Sequence, residues 1–338
     1  MGSKIFEHWI PDQNPPVVER LLQAGGIMIG KTTTPEFAHS SFTDSPLWGP
    51  TRNPWNFSCT AGGSSGGSAV AVATGCVPIA EGSDAGGSIR IPAALSGTVG
   101  LKPSVGRIPM GILPTAFDSI FHFGPLSRTV SDAALFLNVT QGPDNRDIMS
   151  LPPTVPLHIP VPNHVDGLRL ALCPDQGFFA LDDDVEANTR SSADALRQTG
   201  AIVEEVELGW SRQIVDDWFL HWAVFFAAYF EQYLNDWQDQ MTPEVVRMIE
   251  VGQSVKATDF KRLEDVAEQL AGREFKEPLL HDLQASEFVY EAARDPNLGT
   301  RLGGTEVSPQ LQTALHSTFR DLELLERGQL DRLKAVQR

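Results

Sequence analysis

Gly62-Gly-Ser-Ser-Gly-Gly-Ser68, Gly82-Ser-Asp-Ala-Gly-Gly-Ser-Ile-Arg-Ile-Pro92 and Gly100-Leu-Lys-Pro-Ser104 fall within one stretch of this 338-residue chain. Two serines, Ser64 and Ser88, sit among glycines on separate tight turns. Each glycine weakens regular secondary structure by about 0.5–1 kcal/mol relative to alanine, so the clustering marks backbone that needs unusual dihedrals or close approach. A serine on a glycine turn is also a way to expose a nucleophile beside unpaired backbone N–H groups. The N–H groups of Ala85, Gly86, Gly87 and Ser88 are the expected holders of an oxyanion. Asp84 and Arg90 flank Ser88 and read as a pair bracing its loop.

Working outward, the small residues from Ser65 to Gly75 predict a helix that packs close to its neighbours. Val77–Ala80 and Thr98–Leu101 are strand candidates. Upstream, Asn14-Pro15-Pro16 supplies a cap and first-turn prolines for a helix through Val17, Val18, Leu21 and Leu22 that stops at Gly25-Gly26. Ile27-Met28-Ile29 then predicts a short buried strand, with Met28 and Ile29 in the core. Downstream, Thr129–Val139 predicts an amphipathic helix with Ala133, Leu135, Phe136 and Val139 on its apolar face.

Past a Pro- and Asp-rich connection the alternation resumes: a strand at Leu168–Leu172, a helix at Asp184–Gln198 and a strand at Ala201–Val206. Helices follow at Gln213–Leu234, Pro243–Val251 behind a Thr242 cap, and Asp259–Ala271, and Ser308–Val336 reads as one long charged helix. Alternation of strand and helix argues α/β rather than all-α. The aromatic stripe Trp210, Trp218, Phe219, Trp222, Phe225, Phe226, Tyr229 and Phe230 has helical spacing and reads as core packing.

Composition narrows the functions. The apolar share of 41% and charged share of 20% suit an ordinary globular protein. A formal net charge of −17 opposes unaided binding to phosphate backbones or anionic lipid. The three cysteines, Cys59, Cys76 and Cys173, have no metal-ligand spacing and suggest reduced thiols in the cytoplasm. The chain's first residues show no apolar signal segment, and Phe6 breaks the myristoylation pattern.

The glycine–serine stretch closely resembles the amidase signature family. The likeness runs from Asp12–Phe37 through Gly49-Pro-Thr-Arg-Asn-Pro-Trp55 to Asp144, and fades after about Glu264. It implies Ser88 as nucleophile and Ser64 as proton relay behind a cis Gly63–Ser64 bond, with Gly63, Ser65, Asp84 and Arg90 in support. It also implies a mixed central β-sheet covered by helices on both faces. A core at 1–142, a connection at 143–165, a second lobe at 166–262 and a divergent helical tail at 263–338 would make up one domain. The implied reaction hydrolyses a small-molecule carboxamide through a serine acyl-enzyme, with no cofactor, metal, nucleic acid or membrane. A homodimer or an amidotransferase-type partner fits the resemblance. The family's third catalytic residue is a lysine upstream of the bridging serine, and neither Lys4 nor Lys31 matches it. Lys102 reads as structural. The chain therefore reads as beginning after that lysine and as truncated at both ends, and impaired turnover is expected.

Other readings compete less well. Gly25–Thr32 matches the phosphate-loop pattern, but a helix precedes it and Pro35 closes off the helix that should follow. Gly62–Gly66 matches the nucleophile elbow of α/β-hydrolases, but no later histidine stands in a recognisable context. A catalytically inactive binding protein, or an amidotransferase A-type subunit, is the alternative.

Overall fold

The computed structural model describes residues 1–113, 120–152, 157 and 165–263. The chain divides into two compact units, Met1–Pro162 with Phe226–Glu250, and Asn163–Phe225 with Val251–Arg338.

The first unit is built on three antiparallel strands, β1 (Ile79–Asp84), β2 (Val99–Gly100) and β3 (His122–Ser127), in the order β1-β3-β2. Side chains alternate across a strand, so Ile79 and Ala80 face opposite ways. Ala80 packs with Ala69, Val72, Ile89, Ala93 and Leu126. This places α2 (Gly66–Ala73) and α3 (Arg90–Ser96) on one face. Ile79 packs with Val17, Ile108, Phe123 and Phe136, which puts α1 (Pro16–Gln23) and α4 (Val130–Thr140) on the other. Helices thus cover both faces of the sheet.

Local chemistry sets the ends of these helices. Thr129 caps α4 by accepting the Asp132 N–H at 3.1 Å. At its other end Arg20 of α1 donates to the carbonyls of Thr140, Gln141 and Gly142, satisfying acceptors the last turn leaves open. Gly97 ends α3 at φ 69°, a left-handed conformation that glycine adopts without penalty. The fully buried Glu36 carboxylate accepts from Ser3 Oγ and from the Thr242 N–H, each at 2.6 Å. It ties the first residues to the start of α8 (Pro243–Ser254). Before α8 the chain runs through α6 (Gln213–Phe230) and the short α7 (Leu234–Trp237).

The second unit contains a parallel pair, β4 (Arg169–Leu172) and β5 (Ile202–Glu205), joined by α5 (Asp183–Gln198). Val165, Leu170, Leu196 and Ala201 form its core. Asp182 caps α5 and its first turn is acidic, as the helix dipole favours.

The α/β class holds, and most of the expected elements are present. Ile27-Met28-Ile29 departs from expectation: these residues form no strand and are 88%, 60% and 73% exposed. An apolar run becomes a strand only where a neighbour pairs its backbone, and no described strand does so here. Met28 and Ile29 are therefore not core. Leu135 is 49% exposed while Ala133 and Phe136 are buried, so the apolar face of α4 is narrower than the spacing suggests. Pro15 rather than Asn14 stands at the N-cap of α1, without a side-chain bond. The helix expected over Gln213–Leu234 breaks at Phe230 into a 3₁₀ turn. Residues 257–263 are helical, and the rest of the helix expected to Ala271, with the tail from 264, lies outside the described residues.

If α4 buries one narrow stripe, Phe136→Ala lowers unfolding free energy by about 3–5 kcal/mol and Leu135→Ala by about 0.5 kcal/mol. Urea titration measures both, and equal losses would contradict the face assigned to this helix.

Candidate active site

The site is assembled where α2 meets β1. Gly63 lies against the backbone of Phe42, where a Cβ would come within 2.7 Å of the Phe42 carbonyl carbon. The Gly63–Ser64 peptide is cis, as the resemblance implied. Ser64 is buried. Ser65 carries the joint to β1: its Oγ accepts the Ser83 N–H at 3.2 Å and donates to the Ser83 carbonyl at 3.3 Å. One turn on, Ser68 Oγ donates to the Glu81 carbonyl at 2.8 Å and pairs with Thr32 Oγ1 at 2.8 Å. Small side chains let the helix approach this closely; a Cβ on Gly82 would come within 2.9 Å of Ser65 Oγ.

Beyond β1 the chain turns through residues 85–89 around Asp84. This carboxylate is fully buried and accepts from the N–H groups of Gly87 (2.7 Å), Ile89 (3.1 Å) and Arg90 (3.4 Å). Arg90 adds Nε at 3.0 Å and Nη2 at 2.9 Å. Burial alone would raise the Asp84 pKa, but the Arg90 bonds, its charge and the Gly87 and Ile89 N–H groups outweigh it and hold the carboxyl below its ordinary value. Gly87 sits at φ 116°, where a side chain would also strike Ile91. The expected brace of Asp84 and Arg90 is therefore present, and it engages the loop backbone directly.

The two serine turns meet. The Ser65 N–H donates to the Ser88 carbonyl at 3.1 Å, so the residue after Ser64 touches Ser88 itself. Among the described residues, no side chain or backbone group engages Ser64 Oγ or Ser88 Oγ. Of the four N–H groups expected around an oxyanion, that of Gly87 is directed to Asp84 instead. Those of Gly86 and Ser88 carry no bond among the described residues, and Ala85 belongs to the same turn.

Two contributors had no signal in the sequence. Thr43, in an irregular segment, touches the Ser64 loop through its hydroxyl. His122 lies opposite Asp84 in the β1–β3 register, with Nδ1 at 3.2 Å from the Asp84 carbonyl. Burial, then the nearby Lys102 charge, lowers its pKa and keeps the imidazole neutral at neutral pH. Lys102 Nζ donates to the Pro103 carbonyl at 2.9 Å. Other features lie apart. A groove of about 650 Å³ is lined by Lys4, Phe6, Trp9, Tyr233, Trp237 and Gln240, and none of the site serines borders it. Within the aromatic stripe Trp222, Phe226 and Phe230 are buried. No helix opens at Lys31-Thr32, so the phosphate-loop match has no phosphate-binding geometry. Among the described residues, no cluster of three or more His, Cys, Asp or Glu could hold a metal ion.

Two carboxylates give pH-resolved tests. Asp84→Asn removes the charge and one acceptor oxygen of a buried carboxylate whose partner, the Arg90 side chain, is half-exposed, and lowers stability at pH 7 by about 1–3 kcal/mol. Because the folded-state pKa is depressed, the Asp84 contribution is complete above 3.8 and is lost as pH falls through the lower folded value. Urea midpoints of wild type and Asp84→Asn should converge in acid; a gap that stays constant would contradict this role. Glu81, on the Ile79 face of β1, has its pKa raised to about 7 by desolvation. The folded state then holds a proton the unfolded state releases, so stability declines as pH rises from about 4.5 to about 7. Glu81→Gln should flatten that decline and gain at most about 3 kcal/mol at pH 8; an unchanged profile would count against it.

A family model described as Amidase matches residues 1–325. An acylamidase of Rhodococcus erythropolis is 42% identical over 240 residues, which are 71% of this chain and 50% of that protein. The A subunit of the glutamyl-tRNA(Gln) amidotransferase of Chloroflexus aggregans is 44% identical over 208 residues, 61% of this chain and 43% of that one. The chain thus spans about half the length of the curated relatives it matches. Among solved structures, a bacterial aryl acylamidase of the amidase signature enzymes superposes with TM-score 0.73 at 30% identity, covering 77% of this chain and 56% of its own. A 6-aminohexanoate cyclic dimer hydrolase does so with TM-score 0.72 at 34% identity, covering 78% and 57%. With the paired serine turns in contact and the family match running nearly end to end, this chain belongs to the amidase signature family.

Proposed function

We propose that this protein hydrolyses the C–N bond of a small carboxamide through an acyl-enzyme on Ser88. The observation that carries the reading is the 3.1 Å bond from the Ser65 N–H to the Ser88 carbonyl, which joins the two serine turns. Ser88 Oγ attacks the carbonyl carbon and passes its proton to Ser64 Oγ. Ser64 in turn passes its own proton toward the leaving nitrogen. The oxygen of the tetrahedral intermediate takes its charge against the N–H groups of Gly86 and Ser88, since that of Gly87 is held by Asp84. The C–N bond breaks, the amine leaves with that proton, and water then cleaves the ester to give the acid and restore Ser88. Asp84 and Arg90 hold the turn in place throughout. In the family a lysine stands behind the relay, and no residue of this chain is assigned to that position.

A second reading, an amidotransferase A-type chain with a protein partner, is favoured by the relatives of that description at 41–45% identity. The two differ in what the chain does unaided. Hydrolysis of a simple acyl anilide by the purified protein favours the first reading. Glutamine hydrolysis that needs a second protein favours the other. Exposed or half-exposed free thiols at Cys59, Cys76 and Cys173 support a cytoplasmic setting, and no described helix is long and apolar enough to cross a membrane.

A fluorophosphonate probe should label Ser88 as fluoride leaves phosphorus, slowly in this chain, where no residue is assigned the family lysine's place. Mass spectrometry of the modified peptide should show labelling lost in Ser88→Ala and slowed by about 100-fold or more in Ser64→Ala. Persistent labelling of Ser88→Ala would move the nucleophile elsewhere.

A further inference from the structure

We infer that Thr43 is a positioning residue for Ser64, clamping the relay turn and leaving its hydroxyl uncommitted. The inference rests on the reading of Ser64 as proton relay. A helix leaves its first N–H groups without partners, and a serine at its start usually takes one of them with its own hydroxyl. The start of α2 is organised otherwise. Ser65 stands at the N-cap with no side-chain cap bond. Instead the Gly66 N–H donates to Thr43 Oγ1 at 3.0 Å, and the Gly67 N–H donates to the Thr33 carbonyl at 3.3 Å. Capping is handed to chain segments outside the loop. Ser65 is thereby available to hold β1, and among the described residues Ser64 Oγ is held by nothing.

The same threonine oxygen reaches the rest of the turn. Thr43 Oγ1 donates to the Gly62 carbonyl at 2.8 Å, with the Ser64 carbonyl at 3.2 Å from it. One buried hydroxyl therefore touches the turn at its entry, at the relay residue and at its exit. Thr43 is itself fixed: the Thr51 N–H donates to its carbonyl at 2.8 Å, and Thr51 Oγ1 pairs with Thr33 Oγ1 at 2.7 Å. Packing closes the other direction. A Cβ on Gly66 would fall on Thr43 Oγ1, and one on Gly63 would meet Phe42. The turn cannot move toward residues 42–43 because of contact, nor away from them without breaking the three-way hydroxyl.

Thr43→Val keeps the shape and deletes the hydroxyl, whereas Thr43→Ser keeps the hydroxyl. The test combines fluorophosphonate labelling at Ser88, read as a rate constant separately from the labelled fraction, with amide exchange at Gly66 followed by NMR. In Thr43→Val the rate constant should fall by on the order of 10- to 100-fold, the cost of slight misplacement of a reacting group. Gly66 exchange should quicken by about 10-fold or more. Thr43→Ser should restore both. Thr129→Ala, which uncaps α4 away from the loop, should lose stability and keep the wild-type rate constant. A Thr43→Val protein that loses only labelled fraction, or whose Gly66 exchange is unchanged, would overturn the assignment. A wild-type protein that does not label at Ser88 would overturn the proposed chemistry instead, and Gly66 exchange then decides the clamp by itself.

Discussion

Two glycine turns that would otherwise be independent are locked by one backbone bond, from the Ser65 N–H to the Ser88 carbonyl. Everything nearby serves to keep that bond in register. Ser65 and Ser68 fasten α2 along β1, so the helix cannot slide relative to the strand that delivers Ser88. Asp84 then gathers three backbone N–H groups and a guanidinium at the point where the strand ends. A buried carboxylate tolerates such isolation only with several donors around it, and here the donors are the loop itself. Structure and site therefore share the same bonds: loosening Asp84 would release the turn that carries Ser88.

This dependence also explains the glycine content. At Gly63, Gly66, Gly67 and Gly82 another chain segment occupies the place of a Cβ. At Gly87 the backbone conformation itself excludes a side chain without strain. The stretch is glycine-rich because helix, strand and turn approach one another at backbone distance, which also brings the two serine turns together.

Much of this was readable in the sequence, for identifiable reasons. The serine turns, the small-residue helix, the Asp84–Arg90 brace and the α/β alternation all leave marks in residue type and spacing. β3 left none, because Gly124 and Pro125 stand in its centre. The proline is tolerated there because a residue's nitrogen and carbonyl point to the same neighbour, and Pro125 faces the side where β2 is only two residues long. Ile27–Ile29 misled in the opposite sense: apolar residues mark a strand only if something pairs with them. Thr43 and His122 were invisible because their roles depend on long-range contacts, Thr43 with a loop 19 to 23 positions away and His122 with Asp84, 38 positions away. The directed Gly87 N–H was hidden for the same reason, since spacing does not reveal which acceptor a turn amide will find.

The paired turns supply the chemical means for the proposed hydrolysis. The proposed relay depends on the separation of two hydroxyl oxygens. Among the described residues the two hydroxyls make no hydrogen bond to each other, so the relay requires them to close on a bound substrate: a high-resolution crystal structure with an amide substrate analogue bound should place Ser64 Oγ and Ser88 Oγ within hydrogen-bond reach, about 2.6–3.2 Å apart. Finding them about 5 Å or more apart, with the turns otherwise ordered and no water between them, would contradict it.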